Sequence, residues 1–297
     1  MQIGSRTLIL NPASGTGEHA DIVPRLARGR GFEVWETEAP GDGVALGRRA
    51  AEEGVGELAV CGGDGTVNEV LCGLAEAGHV EAVTLSVVPG GTANLLAGNV
   101  GVRDVEHGIE VADTGTVRSV DLGTADGLPF VVSCIAGLPA DASTAASGEL
   151  KQRLGTLAFV VTAIQEARSF DGLALSIDTE AGTVWEGEAI CVLVGNARKF
   201  VEEGGQADME DGRFDVAVVE RTPASSLVAE AAVHRLLGEG TENVEHFRAA
   251  ELSVTSADGE PIGFSRDGEL SEFTAVELHN RAGVLDLRVG EGYDPTP

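Results

Sequence analysis

The sequence predicts two domains, an α/β N-terminal domain with a parallel sheet and a mainly antiparallel β-sandwich C-terminal domain. Three observations predict this. Up to Asp121, short apolar runs alternate with helical patterns, the signature of crossover units and a parallel sheet. Beyond it, short alternating segments separated by turn signals dominate. The chain of 297 residues is 43% hydrophobic and only 4% aromatic, enough for a large aliphatic core. The expected domains are residues 1–122 and 123–297, with the tail free to return to the first.

Taken in order, Thr7–Leu10 reads as a buried strand, followed by a loop and a helix ending near Arg30. Phe32–Trp35 reads as a second strand and Val44–Glu53 as a second helix. Leu58–Cys61 is the third strand, followed by a Gly-rich turn and a helix over Val67–Ala77. Val83–Val88 is the fourth strand and runs into Pro89-Gly90-Gly91-Thr92. In the second half, strands are expected at Phe130–Ile135, Leu173–Ile177, Ala189–Val194, Phe214–Val219, Leu252–Thr255, Phe273–Leu278 and Val284–Val289. Helices are expected at Glu149–Ser169 and Ala224–Leu237.

Charge narrows the partners. With 48 acidic residues against 20 basic, the net charge is −28, and only Lys151 and Lys199 are lysines. Nucleic acid needs a basic face, so it is disfavoured as a partner, and attraction to an anionic membrane is disfavoured likewise. Self-repulsion of this size strains a compact fold at low ionic strength, and molar salt screens it within about 3 Å. The composition points to a halophilic source. Cys61, Cys72, Cys134 and Cys191 have no paired spacing and read as buried small hydrophobes in a reducing cytosol. The N-terminus lacks a signal-peptide layout, and the longest apolar run, near Leu157–Ile164, falls short of the about 20 residues that span a bilayer. A cytoplasmic location is expected, with peripheral contact to a membrane where a lipid is the substrate. The oligomeric state is open, a homodimer included.

Chemistry concentrates in three loops, each following a strand. Gly62-Gly63-Asp64-Gly65-Thr66 joins an apolar strand to a helix. Its glycines allow consecutive N–H groups to face one anion, and the helix dipole favours phosphate. Asp64 inside such a loop would repel phosphate unless it held Mg²⁺. Thr66 and Glu69 also fit a capping box, with Thr66 as N-cap, and both readings stand. Asn11 and Ser14, after the first strand, can hydrogen-bond phosphate or ribose oxygens. Gly91, Thr92 and Asn94, after the fourth, have the same capacity. Alone, each loop is an ordinary turn; their joint occurrence at strand ends of one parallel sheet points to a ligand.

These residues resemble a known family. Asn11-Pro12-x-Ser14-Gly15, Gly62-Gly63-Asp64-Gly65-Thr66-Val67-Asn68-Glu69-Val70 and Pro89-x-Gly91-Thr92-x-Asn94 are similar to the bacterial-type diacylglycerol kinases, a group that includes sphingosine and other lipid kinases. Further matches are Gly137–Ala142, Leu150-Lys151 with Leu154-Gly155, Gly195-Asn196, Asp211-Gly212 with Asp215, and Asp267-Gly268-Glu269. The resemblance implies a nucleotide domain, a sandwich domain, a cleft between them, and transfer of the γ-phosphate of ATP to a lipid hydroxyl. It implies Asp64 and Asp121 in a water-mediated Mg²⁺ network, Asp267 as general base with Glu269 nearby, and Asp211 in a segment where some members hold a structural metal. Asp267-Gly268 and Asp211-Gly212 are also ordinary hairpin turns. Two positions depart from the pattern: Leu95 stands where Asp often follows the third loop's Asn, and Thr16-Gly17-Glu18 where a basic residue often follows Ser-Gly.

NAD kinases and phosphofructokinases share a Gly-Gly-Asp-Gly loop, so a soluble-metabolite kinase is one alternative. A catalytically degenerate binding module is another. The six histidines, His19 among them, lack metal-ligand spacing and read as structural or solvent-facing. No Gly-x-Ser-x-Gly elbow or Gly-Lys-Ser/Thr P-loop is present.

Overall fold

The computed structural model describes residues 6–137, 172–199, 206–221 and 244–296. The helices expected at Glu149–Ser169 and Ala224–Leu237 lie outside these residues, as does most of the Gly137–Ala142 match. The chain divides into two units: residues 1–122 with 282–295, and residues 123–281 with 296–297.

The first unit opens with β1 (Arg6–Leu10), α1 (Val23–Arg28), β2 (Glu33–Glu36) and α2 (Asp42–Glu52). It continues with β3 (Glu57–Gly62), α3 (Asp64–Glu76), β4 (Thr84–Pro89), α4 (Leu95–Asn99) and α5 (Val105–Thr114). Strand β1 pairs in parallel with both β2 and β3, and β3 pairs in parallel with β4. Strands β1, β3 and β4 are largely buried, mostly apolar runs, as a sheet covered on both faces requires, whereas β2, at the end of the sheet, keeps Glu33 and Glu36 exposed. Leu8, Leu10, Ala59, Cys61 and Val88 pack with Val23, Ala27 and Phe32 around α1, and with Ile109 and Ala112 of α5. Register brings Leu10 beside Cys61, and Cys61 and Gly62 beside Val88 and Pro89. All three loops therefore leave the carboxyl ends of adjacent strands side by side.

Strands β5 (Thr116–Ala125) and β15 (Ala275–Val289) each begin in one unit and end in the other. The last part of β15 pairs in parallel with β4, Asp286 opposite Thr84 and Leu287 opposite Leu85, and so adds a strand to the first unit's sheet. Phe273–Leu278 and Val284–Val289, expected as separate strands, thus fall mainly on one long strand.

The second unit is antiparallel. Besides its share of β5 and β15 it contains β6 (Leu128–Phe130), β7 (Ser133–Gly137), β8 (Leu173–Thr179), β9 (Gly182–Gly195) and β10 (Phe214–Glu220). It also contains β11 (Val244–Ala249), β12 (Glu251–Ser256), β13 (Ile262–Arg266) and β14 (Glu269–Phe273). The strand order is β14-β13-β7-β9-β8-β12-β15, with β10 also pairing β9 and β11 pairing β10. Phe130 stacks on Phe214 at 5.5 Å between ring centroids, and Phe264, Leu175 and Leu278 complete a dry core.

Several local expectations are corrected. The expected strand Phe130–Ile135 is broken between β6 and β7, because Val131, Val132 and Ser133 turn their N–H groups to a carboxylate rather than to a ladder. Helix α3 starts at Asp64 with Gly63 as N-cap, so Thr66 is not the cap. Cys61, Cys134 and Cys191 are buried, and burial pushes each thiol up to about 12. Cys72 is only half-buried. No described helix is long and apolar enough to cross a membrane.

Candidate active site

The three loops of the first unit are built from one another. The amide of Asn11 donates to Thr66 Oγ1 at 2.9 Å, which ties the first loop to the first turn of α3. Gly90 N–H donates to the Gly62 carbonyl at 2.8 Å, which ties the second loop to the third. Gly91 then passes so close to Gly63 that a Cβ on Gly91 would lie 2.4 Å from the Gly63 Cα. Only glycine fits there. A Cβ on Gly15 would similarly lie 2.5 Å from the Gly90 carbonyl oxygen.

The polar side chains that sequence reasoning assigned to a ligand mostly organise this assembly. Asn94 holds a left-handed backbone (φ 50°), which asparagine tolerates. Its amide closes a ring with Gly91, donating to the Gly91 carbonyl and accepting from the Gly91 N–H, both at 2.8 Å. Asp64 accepts N–H groups from Leu95 at 3.1 Å and Leu96 at 3.0 Å, capping α4. Position 95 therefore supplies its backbone to Asp64 where the family pattern often supplies a second carboxylate.

Glu69 leaves the loops altogether. Its two oxygens accept the N–H groups of Gly41 at 3.1 Å and Gly43 at 3.0 Å, so it caps α2, and the capping-box expectation for Thr66 and Glu69 fails. Thr66 is engaged by Asn11 instead.

What remains turned outward is backbone. Val67 N–H is the first to bond back along α3, to the Gly63 carbonyl. The N–H groups of Asp64, Gly65 and Thr66 thus lie outside the helix's own ladder, at its positive dipole end. Ser14 is half-buried in the first loop and Thr92 is exposed in the third. Of the two readings open for His19, structural or solvent-facing, the structural one applies: it is buried, and its Nε2 reaches the Asn11 carbonyl at 2.9 Å and Ser14 Oγ at 3.2 Å.

Asp121 is buried on β5, and its Oδ1 accepts the N–H of Gly283 at 2.8 Å. It joins two strands of the first unit.

In the second unit, Asp267 and Gly268 form the two-residue turn between β13 and β14, both at positive φ (47° and 94°), as a type I′ turn requires. The Asp267 carboxylate accepts three N–H groups, Val131 at 2.7 Å, Val132 at 2.9 Å and Ser133 at 2.9 Å. The side chain is therefore held in one orientation. Glu269 is exposed and stands opposite Arg266 in the hairpin register. Arg266 is buried, donates to Ser271 Oγ at 3.0 Å and to the Pro129 carbonyl at 3.5 Å, and its Nε has no hydrogen-bond partner.

Asp211 has a cation beside it, but the cation is Arg248. One guanidinium hydrogen-bonds Asp211 Oδ2 and lies 3.4 Å from Asp215 Oδ2. Burial pushes the Asp215 carboxyl up, opposed by Arg248 and reinforced by Asp211. Arg248 sits on β11, a strand the sequence pattern did not reveal. Among the described residues no three His, Cys, Asp or Glu side chains converge as a metal site. Asp64 accepts two backbone N–H groups, Asp121 accepts that of Gly283, and Asp211 pairs with Arg248.

Comparison with known proteins gives this assembly a context. The model of the diacylglycerol kinase catalytic domain matches residues 5–125, and that of the YegS C-terminal NAD kinase beta sandwich-like domain matches residues 132–289. The diacylglycerol kinase of Bacillus subtilis is 26% identical over 285 residues, covering 92% of each chain. That of Staphylococcus carnosus is 26% identical over 276 residues, covering 88% of this chain and 87% of its own. A crystal structure of a diacylglycerol kinase from Bacillus anthracis superimposes with a TM-score of 0.74 at 22% identity, covering 99% of this chain and 100% of that one. At that identity the likeness speaks for the fold alone. The two family matches, one on each unit's sequence, carry the assignment: the chain belongs to the diacylglycerol kinase family of phosphotransferases.

Proposed function

We propose that the chain transfers the γ-phosphoryl group of ATP to the hydroxyl of a lipid alcohol, a diacylglycerol or another long-chain alcohol. The observation that carries this reading is the loop assembly, in which packed glycines surround the first turn of α3 at the carboxyl ends of the parallel strands. Backbone donors at a helix N-terminus suit the triphosphate. The divalent ion enters as part of the Mg–ATP substrate, where it offsets phosphate charge. The chain's own work is to bind, orient and keep the loops in register.

Asp267 is the proton acceptor in this reading. The acceptor hydroxyl oxygen bonds to the γ-phosphorus, the bond to the ADP oxygen breaks, and the hydroxyl proton passes to the Asp267 carboxylate. The loose transition state of phosphoryl transfer asks more of positioning than of base strength. Three N–H donors hold Asp267 in a single orientation, which favours that role. Names of relatives favour a lipid acceptor, since the curated relatives above are diacylglycerol kinases. The test is incubation with γ-labelled ATP, Mg²⁺ and diacylglycerol vesicles in molar salt, followed by lipid extraction. Label in the lipid supports the reading. Label in NAD, or ATP binding with no transfer, replaces it.

A further inference from the structure

We propose that His19 is a positioning residue for nucleotide binding, acting as a substitute donor that releases the Ser14 hydroxyl to a phosphate oxygen. The proposal rests on the nucleotide-binding reading above. His19 is 6% exposed, and its backbone carbonyl accepts the N–H groups of Ile22 and Val23 at the entry to α1. Its ring reaches back into the first loop. There the Asn11 carbonyl gathers three donors: the Ser14 hydroxyl at 3.0 Å, the Ser14 N–H at 3.3 Å and His19 Nε2 at 2.9 Å. A carbonyl has no proton to give, so Nε2 carries the hydrogen. The same Nε2 stands 3.2 Å from Ser14 Oγ. A Cβ on Gly90 would lie 3.1 Å from both groups, so the third loop closes over the pair.

This arrangement addresses a cost of ligand binding. In the structure the Ser14 hydroxyl donates to Asn11, which leaves it no proton for a phosphate. Turning the hydroxyl to a ligand would weaken the hydrogen bonding of a half-buried carbonyl, and such a loss is costly. With His19 in place, Asn11 keeps the Nε2–H donor while Ser14 turns. The Asn11 side chain bonds Thr66 Oγ1 rather than Ser14, so the exchange does not require it to leave the first turn of α3.

The test measures Mg–ATP affinity by calorimetry on the full chain, with thermal unfolding on the same samples. His19→Leu removes the donor and is expected to weaken ATP binding about tenfold. His19→Gln keeps an N–H at similar reach and is expected to bind close to wild type. Ser14→Ala alone is expected to weaken binding similarly, and Ser14→Ala with His19→Leu to be no worse than Ser14→Ala. In turnover the loss should fall on KM for ATP, with kcat little changed. Additive losses, failure of His19→Gln to rescue while it stays folded, or unchanged ATP affinity in His19→Leu would each overturn the proposal. Wild type that binds no ATP removes the nucleotide reading itself, a different outcome from any of these.

Discussion

Asp64 and Leu95 are joined by a hydrogen bond of 3.1 Å from the Leu95 N–H to Asp64 Oδ2, and through it the first turn of α3 fixes the start of α4. The second oxygen accepts Leu96 at 3.0 Å. An asparagine offers one acceptor oxygen and turns an NH₂ toward the other N–H. Asp64→Asn should therefore lose about 1–2 kcal/mol of stability and weaken ATP binding with it. Urea unfolding and ATP calorimetry on the same protein check this; unchanged stability would show that the cap contributes nothing.

The contact between Gly91 and Gly63 is backbone on both sides, so it cannot relax by moving a side chain. Gly91→Ala should cost about 1–3 kcal/mol by overpacking and push the third loop off the second. ATP affinity should fall by about tenfold. A variant with wild-type ATP affinity would mean that the loops need not touch.

Glu69 lies within the family motif, yet its carboxylate caps α2 through Gly41 and Gly43. Glu69→Gln keeps one acceptor and should lose about 1 kcal/mol while leaving ATP affinity near wild type. An affinity loss out of proportion to the stability loss would return Glu69 to the nucleotide site.

Arg248 is the internal counter-cation of Asp211 and Asp215. Arg248→Ala should destabilise the protein, and added Mg²⁺ or Ca²⁺ should restore part of the loss. The pH dependence has a definite sign. Asp215 is raised above its ordinary 3.8, chiefly by burial, with Arg248 pulling it down. A carboxylate raised on folding favours the folded state below its unfolded value, and that advantage is lost as pH rises through the folded value. Removing Arg248 raises Asp215 further, so the variant's deficit should be largest near neutral pH and shrink as pH falls toward about 4. A deficit constant across that range would exclude the electrostatic account.

The parallel half of the fold was legible because its strands are apolar runs ended by glycine or proline, β3 at Gly62 and β4 at Pro89. Strands β11, β13 and β14 were not. They carry Glu245, Arg248, Arg266, Glu269 and Glu272 where a strand pattern needs apolar residues, and neighbouring strands supply what the sequence lacks. The site divides in the same way. Glycine-rich turns announced the loops, since close backbone approach demands glycine. The work of Asp64 and Glu69 was hidden for a different reason. Asp64 finds its partner 31 residues away and Glu69 at 28 and 26, and no local pattern distinguishes a cap on another helix from a ligand contact.

The most direct test compares wild type with Asp267→Asn for transfer of label from γ-labelled ATP into extracted lipid, at molar salt with Mg²⁺. The account predicts labelled lipid from wild type and a fall of about 10²-fold or more in the variant, with ATP affinity retained. Equal transfer by the two proteins would remove Asp267 from the chemistry, and label that never reaches lipid from a protein that binds ATP would contradict the lipid kinase reading.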